Sequence, residues 1–500
     1  MTKNNVLIAL VLLPAFFVLH NYNELAGFLP FRTALLSALL IYGILAVIFF
    51  ILLYRGVSKP AASLILFGIS LFLLFYTPLH ELLQRITFNS FLGSNWIFIL
   101  LSIGLLYWLI RKTKGRKEIS SKIVLFLNIA LACLVLTELI TINSNRAKIA
   151  RTHNLIYPGH PLTDHYVSRG VPDSSKPDIY FLLFDEYTNN RTLKKVWNFD
   201  NDSITSWLTA RHFYMPSDTR CNYNFTVFSL SSMFNMNYID EKKGGDGTVI
   251  LNDLEANQSM SENETFSILE KEHYSIQFLA PFRNSIEEKG LGHFFDYLID
   301  RQMTMQTLPG MAYERIRQAW QAGTLPGLHN EGANHSLQEK YRLIRQTAED
   351  IKNTVDSATN RQPHFVYGHF MVTHVPYVFD NDGKVMSQQE AVTYDPFSTY
   401  IEQVRLANQL IEELVTYIQT HNKRNTIILI AGDHGFRHFP SNLMPVYSFS
   451  NFNAIYLPDS DYTRLNDRLS PVNSFRIIFD QFFGQQLPLL KDSCINVLDN

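Results

Sequence analysis

Carboxylates and imidazoles that follow buried strands form a metal site when the strands lie side by side, because ligands of open α/β sheets gather at the carboxyl ends of strands. Two stretches of the chain have this form. Residues 179–184 are a short, continuous apolar run that starts after Pro177 and ends in Asp185 and Glu186. Residues 426–430 are a second such run, ending in Ala431, Gly432, Asp433, His434 and Gly435. Short runs apolar at every position are expected of central strands buried on both faces. Asp185, Asp433 and His434 together supply the ligands of a divalent cation, the imidazole favouring zinc and the carboxylates tolerating manganese. A lone acid at a strand end is more simply a helix N-cap. Two such ends, one with an adjoining His and Gly, turn the reading toward a metal.

Between these runs, Phe225, Phe228, Leu230, Met233 and Phe234 fit one side of a helix, which places Thr226 at or near its first turn. The free amides and positive dipole end of a helix stabilise a phosphate or sulfate there. A metal beside the hydroxyl lowers its pKa and makes it a nucleophile. On the residues alone, a plain helix cap is the simpler role for Thr226.

Strand and acid, then a hydroxyl-led helix, then strand and Asp-His-Gly is an order that resembles the alkaline phosphatase superfamily. The chain is similar to its membrane phosphotransferases, such as lipid A phosphoethanolamine transferase and lipoteichoic acid synthase, which join five helices to an outer sulfatase-like domain. The resemblance implies that Asp185 binds the metal, with Glu186 as the second acid found in sulfatases. It implies that Thr226 is the nucleophile and itself a metal ligand, and that Asp433 and His434 are the Asp-His metal pair. His374, in the run Thr373-His374-Val375-Pro376, resembles the histidine that contacts the substrate phosphate. His369 is a weaker candidate for that contact, and reads rather as a packed strand histidine. The transferases' downstream second-metal histidine has no clear counterpart, and His438 is the position offered for it. The transferases usually have a single Glu where this chain has Asp185 and Glu186, so the resemblance leaves the choice of acid open. Their disulfides are missing, with Ser232 where they have a Cys. Formylglycine sulfatases need Cys or Ser followed by x-Pro-x-Arg, whereas Cys221 is followed by Asn222, Tyr223 and Asn224. That disfavours formylglycine chemistry and leaves Cys221 a structural residue.

The elements that must position these residues divide the chain in two. Overall 47% of residues are hydrophobic and 18% charged, an ordinary balance that conceals a concentration of apolar residues before about residue 143. Five segments, residues 5–19, 33–54, 61–76, 96–110 and 123–142, approach the length of about 20 mainly apolar residues that a membrane-spanning helix needs. Lys3 precedes the first, but Pro14 and the residues after it supply no small-residue cleavage site, so it reads as a retained helix. Lys3, Arg55, Lys59, Arg111, Lys112, Lys114, Arg116, Lys117 and Lys122 fall on one side of the membrane, the cytoplasmic side by the positive-inside rule. Everything after the fifth segment is then extracytoplasmic.

The expected organisation is a transmembrane domain of five helices at residues 1–143 and a juxtamembrane linker at 144–177, followed by a catalytic domain at 178–500. The linker is marked by Pro158, Pro161, Pro172 and Pro177; its Arg146, Lys148 and Arg151 either rest on lipid headgroups or belong to a solvated tether. Alternating short apolar runs and helical stretches make the outer part an α/β sulfatase-like domain, with a central, mostly parallel sheet flanked by helices. Residues 453–458 and 470–490 resemble the closing strand and helix of that fold. Residues 237–361 carry no motif. The three cysteines give no disulfide framework, although Cys221 and Cys494 would be free to pair in an oxidising compartment.

A formal net charge of −2 gives no basis for nucleic-acid binding. No charged residue sits mid-helix in the five segments, as an ion path would need. The function expected is that of a metal-dependent phosphotransferase or hydrolase in the inner membrane. It would move a phosphoethanolamine- or phosphoglycerol-type group from a lipid to a surface lipid or glycan through Thr226. The alternatives are a sulfate or phosphate ester hydrolase and a non-catalytic lipid-binding regulator of the same fold. The second of these would be expected to have lost the nucleophile or a ligand.

Overall fold

The computed structural model describes residues 6–24, 31–88, 91–113, 121–149, 162–239, 256, 259–260, 263–279, 303–321, 331–357, 362–387, 390–439 and 447–497. Lys3, Lys114, Arg116 and Lys117 lie outside them, as do Arg151, Pro158 and Pro161 of the expected linker. The chain forms two units, Met1–Thr152 with Asp296–Gln318, and His153–Phe295 with Ala319–Asn500. The piece Asp296–Gln318 therefore leaves the outer part of the sequence and joins the N-terminal helices.

Each of the five apolar segments forms a helix, but not all are straight spans. The helices are α1 (Val6–Glu24), α2 (Phe31–Tyr54), α3 (Lys59–Leu74), α4 (Tyr76–Ile86), α5 (Asn95–Thr113) and α6 (Ser121–Ile149). Among the described residues, Phe31–Tyr54 and Leu125–Ile142 are long and apolar enough to cross a membrane, and α3 with α4 makes a third only if the bent pair counts as one span. The third segment, expected to run over residues 61–76, stops at Leu74, and the chain turns by 75° into α4. Pro78 accounts for the break: its missing N–H would have donated to the carbonyl of Leu74. Glu138 lies one turn from the end of its apolar stretch; its carboxylate meets His20 Nδ1 at 2.8 Å and accepts from Asn23 Nδ2 at 2.5 Å.

The second unit is built on a five-stranded sheet of β1 (Asp178–Phe184), β2 (Ser275–Leu279), β3 (His364–Phe370), β4 (Thr426–Ala431) and β5 (Asn453–Tyr456), in the order β2-β3-β1-β4-β5. The pairings among β1 to β4 are parallel and β5 runs antiparallel beside β4. Every residue of β1 is buried, which its unbroken apolar run requires. Its side chains alternate between two helical layers. Tyr180, Leu182 and Phe184 belong to the core that includes Ile344, Ala348 and Ile351 of Glu331–Ser357 and Leu410, Leu414 and Ile418 of Pro396–His421. On the other face, Phe181 packs its ring against Phe234 of Thr226–Asn235 and Phe475 of Ser474–Phe483. Burying one such aromatic ring contributes about 2–3 kcal/mol.

Register sets where the site falls. Phe184 is level with Phe370, and Leu183 with both His369 and Ala431, so β1, β3 and β4 end side by side. The residues after those ends are Asp185, Met371 and Gly432, with Thr373, His374 and Asp433 close behind.

Candidate metal centre

At the shared strand ends, one ligand atom each of Asp185, Asp433 and His434 lies within 4.8 Å of the others. All three residues are buried. The turn out of β1 is sharp: Asp185 N–H donates to Phe370 O at 3.0 Å, and Glu186 adopts a left-handed φ of 62°. That conformation, uncommon outside glycine, aims the Glu186 N–H at Asp433 Oδ1, 3.1 Å away. The same oxygen accepts from His434 N–H at 2.9 Å. After β4 the backbone packs too closely for side chains. A Cβ on Gly432 would stand 2.3 Å from Tyr187 O, and one on Gly435 2.3 Å from Tyr447 O, so glycine is needed on both sides of the Asp-His pair.

Hydrogen bonding fixes the imidazole for coordination. His434 Nδ1 is 2.8 Å from Gly435 O. A carbonyl only accepts, so Nδ1 carries the proton and Nε2 of the neutral ring presents its lone pair. That lone pair faces Asp433 Oδ2 at 3.3 Å and Asp185 Oδ1 at 3.7 Å. Neither oxygen accepts a hydrogen bond from the protein. Three electron-rich atoms thus converge in a buried space, an arrangement that is costly unless a cation lies among them. The donor set therefore fits a divalent ion, with nitrogen and carboxylate ligands suited to zinc or manganese.

Thr226 is the first residue of its helix, and Phe225, not Thr226, takes the cap position. The Thr226 Oγ1 is 3.2 Å from His434 Nε2, so the hydroxyl lies at the same cluster. Ser229, one turn on, ties the helix down by donating its hydroxyl to Asp433 O at 2.6 Å.

Other sequence candidates fall into a neighbouring group. The buried Glu186 carboxylate receives Arg437 Nε at 2.9 Å and stands 3.6 Å from His438 Nε2. Neither Glu186 nor His438 belongs to the set formed by Asp185, Asp433 and His434. His374 donates from Nδ1 to Val375 O at 2.5 Å and takes an Arg437 contact at Nε2 of 3.5 Å. Lys340 donates to His374 O at 2.5 Å and Pro376 O at 2.7 Å, supporting that loop from the helix Glu331–Ser357. Burial brings the Lys340 ammonium down to about 7, against the opposing pull of Asp185 and Glu186.

His369 is more than a packing residue. Its Nε2 reaches Asp185 Oδ2 at 3.2 Å, and its Nδ1 meets the Tyr367 hydroxyl at 2.9 Å. The carboxylate only accepts, so the chain runs from Tyr367 O–H through His369 to Asp185, the type of outer contact that orients a metal-binding acid. Burial opposes the charge of Asp185, but the neighbouring imidazoles of His374, His369 and His434 hold its carboxyl well below the usual range. Burial first and the Asp185 charge second push Asp433 upward. Sequence reasoning missed Arg437, Ser229, Lys340 and the role of His369. For His369 a signal existed in its place on a strand running beside β1. Cys221 is buried, with its thiol pushed up by that burial, and Cys133, Cys221 and Cys494 are all free.

The Sulfatase family model matches residues 188–467, more than half of the chain. The chain belongs to the sulfatase family, and with its apolar N-terminal helices it is a membrane enzyme of the sulfatase-like superfamily. Solved structures of similar fold include the C-terminal periplasmic domain of EptC from Escherichia coli, at 8% identity, covering 63% of this chain and 84% of that one, with a TM-score of 0.39. The integral membrane lipooligosaccharide phosphoethanolamine transferase A from Neisseria meningitidis is similar over 94% of this chain and 95% of its own, at 11% identity and a TM-score of 0.37. The lipoteichoic acid synthase LtaP from Listeria monocytogenes is similar over 68% and 78%, at 10% identity and a TM-score of 0.36. No curated protein matches the chain.

Proposed function

We propose that the protein is a membrane-anchored phosphotransferase that uses Thr226 as nucleophile. The observation that carries this reading is a hydroxyl at a helix N-terminus, 3.2 Å from an imidazole lone pair that faces two unpartnered carboxylate oxygens. A divalent ion, zinc or manganese, held by Asp185, Asp433 and His434 supplies Lewis-acid chemistry at this place. Thr226 Oγ1 attacks phosphorus and gives up its proton, which ends on the departing oxygen; its bond to phosphorus forms as the bond to the leaving alcohol breaks, and the phosphoryl group rests on Thr226 until an acceptor hydroxyl or water removes it. The first amides of Thr226–Asn235 hold the phosphoryl oxygens, and Arg437, whose guanidinium lies 4.8 Å from the Phe225 ring, brings positive charge to the same helix end. His374, which Lys340 holds from behind, borders the same space.

The anchor makes a membrane lipid the donor and a surface lipid or glycan the acceptor. The enzyme then sits in the cytoplasmic membrane as a multi-pass protein, with five helices in residues 1–143, a linker in 144–177 and an extracytoplasmic catalytic part within 178–500. Glu186, paired with Arg437 at 2.9 Å and 3.6 Å from His438, serves with them as a polar wall of the site.

The test is to incubate the purified full-length protein with phospholipids and read the mass of the peptide containing Thr226. An adduct is expected, and its mass names the transferred group. Thr226→Ala should abolish both adduct and turnover while still binding metal. Full turnover of that variant would exclude Thr226 as nucleophile. Ester cleavage with water as the sole effective acceptor would instead make the enzyme a hydrolase.

A further inference from the structure

The helix Leu308–Gln321 is turned inside out for a segment in water. Glu314, a charged residue, is only 3% exposed and is paired with Arg317 at 2.5 Å, whereas Tyr313 and Ile316 are 67% and 57% exposed. A surface helix in water shows the opposite arrangement, apolar inward and charged outward. Tyr313 and Ile316 are three positions apart and so share one face. Arg315, between them in sequence, is also exposed.

Hydrogen bonds fix where this helix begins. Thr77 donates its N–H to Gln306 O at 3.1 Å and its hydroxyl to Met305 O at 2.8 Å. Thr77 lies in the first turn of α4, just past the bend at Phe75 where the apolar helix α3 ends. The contact satisfies one of the amides that a helix N-terminus leaves without an internal partner. It also sets the entry to Leu308–Gln321 at the level where the apolar helix α3 gives way to a helix turned 75° from it. Thr307 accepts the Gly310 N–H at 3.1 Å and starts the helix there. Nearby in the same unit, Leu82 and Ile86 of α4, and Phe88 and Phe91 after it, are exposed apolar side chains.

We infer that Leu308–Gln321 is an interfacial membrane helix, laid by its Tyr313 and Ile316 face into the headgroup and upper acyl layer of the phospholipid bilayer, with Arg315 at the level of the lipid phosphates. The partner is the bilayer because the helix belongs to the same unit as α2 and α6, which are apolar enough to span it, and its entry is tied to Thr77 just past the end of the apolar helix α3. The outer part of the sequence thereby gains a second attachment to the membrane, far along the chain from the first. The inference holds whichever group Thr226 carries.

The test places the photoreactive residue p-benzoylphenylalanine at position 313 or at position 316 of the full-length protein, and at the exposed position 491 as control. Each protein is reconstituted in vesicles of phosphatidylethanolamine and phosphatidylglycerol and irradiated, and the peptide holding the label is weighed. Phospholipid adducts are expected at 313 and 316, about tenfold above those at 491, as burial of this face in lipid requires. Adduct yields equal to that at 491, or cross-links from 313 and 316 to peptide in place of lipid, would overturn the inference. The two positions are read separately, so one variant that fails to assemble leaves the other decisive.

Discussion

At the scale of residues, the site is an answer to one electrostatic problem: buried carboxylates and an imidazole lone pair can share a small space only around positive charge. His434 is locked in the ligand tautomer by Gly435 O, and Asp185 is held by His369, itself held by Tyr367. His369→Ala should therefore weaken metal affinity about 10–100-fold while leaving the three ligands in place. A metal titration of the apo protein checks this, and unchanged affinity would return His369 to a packing role. The ligand candidates were legible in the sequence because each adjoins a short apolar run whose end can be read off the chain. The partners were not. His369 becomes a neighbour of Asp185 only through the pairing of β3 with β1, and Arg437 and Lys340 owe their place to how the loop after His434 and a distant helix lie beside Glu186 and His374.

At the scale of elements, the parallel pairing of β1, β3 and β4 brings the site residues together, and smaller ties hold the edges. One such tie joins the approach to β1 to the end of Glu264–Lys271. Lys176 meets the Glu272 carboxylate at 2.8 Å and the Glu272 carbonyl at 2.8 Å, while the Tyr166 hydroxyl donates to that carboxylate at 2.6 Å. Burial opposes the charge on Glu272, but the Lys176, Ser168 and Tyr166 contacts outweigh it and hold the carboxyl below its ordinary value of 4.5. The native carboxyl has the lower pKa, so the stabilisation is complete above the ordinary carboxylate range and is lost as pH falls through the native value. Glu272→Gln should cost about 2 kcal/mol at pH 7, because the buried Lys176 ammonium keeps Asp173 at 2.8 Å but loses the charge of its other carboxylate partner. Melting curves of both proteins from pH 7 down to pH 3 should converge at the acid end; a constant gap would mean that charge is not the cause. The strands themselves were legible, since unbroken apolar runs admit few other structures. The break at Phe75 was not, because residues 61–76 are mainly apolar up to and past the break and the proline responsible lies beyond them, at Pro78.

At the scale of the whole molecule, the sequence divides by composition, and the division into an apolar N-terminal part and an α/β enzyme part was readable before any coordinate. The return of Asp296–Gln318 to the helical unit was not, since its cause is a handful of contacts around Thr77 and not any run of apolar residues. The central claim is that Asp185, Asp433 and His434 hold one divalent ion beside Thr226, and X-ray absorption of the zinc-loaded full-length protein, with metal content measured alongside, tests it most directly. One imidazole nitrogen and otherwise oxygen neighbours are expected, with no sulfur, and Asp433→Asn combined with His434→Ala should empty the site. A thiolate in the zinc shell, or undiminished zinc in that double variant, would contradict it.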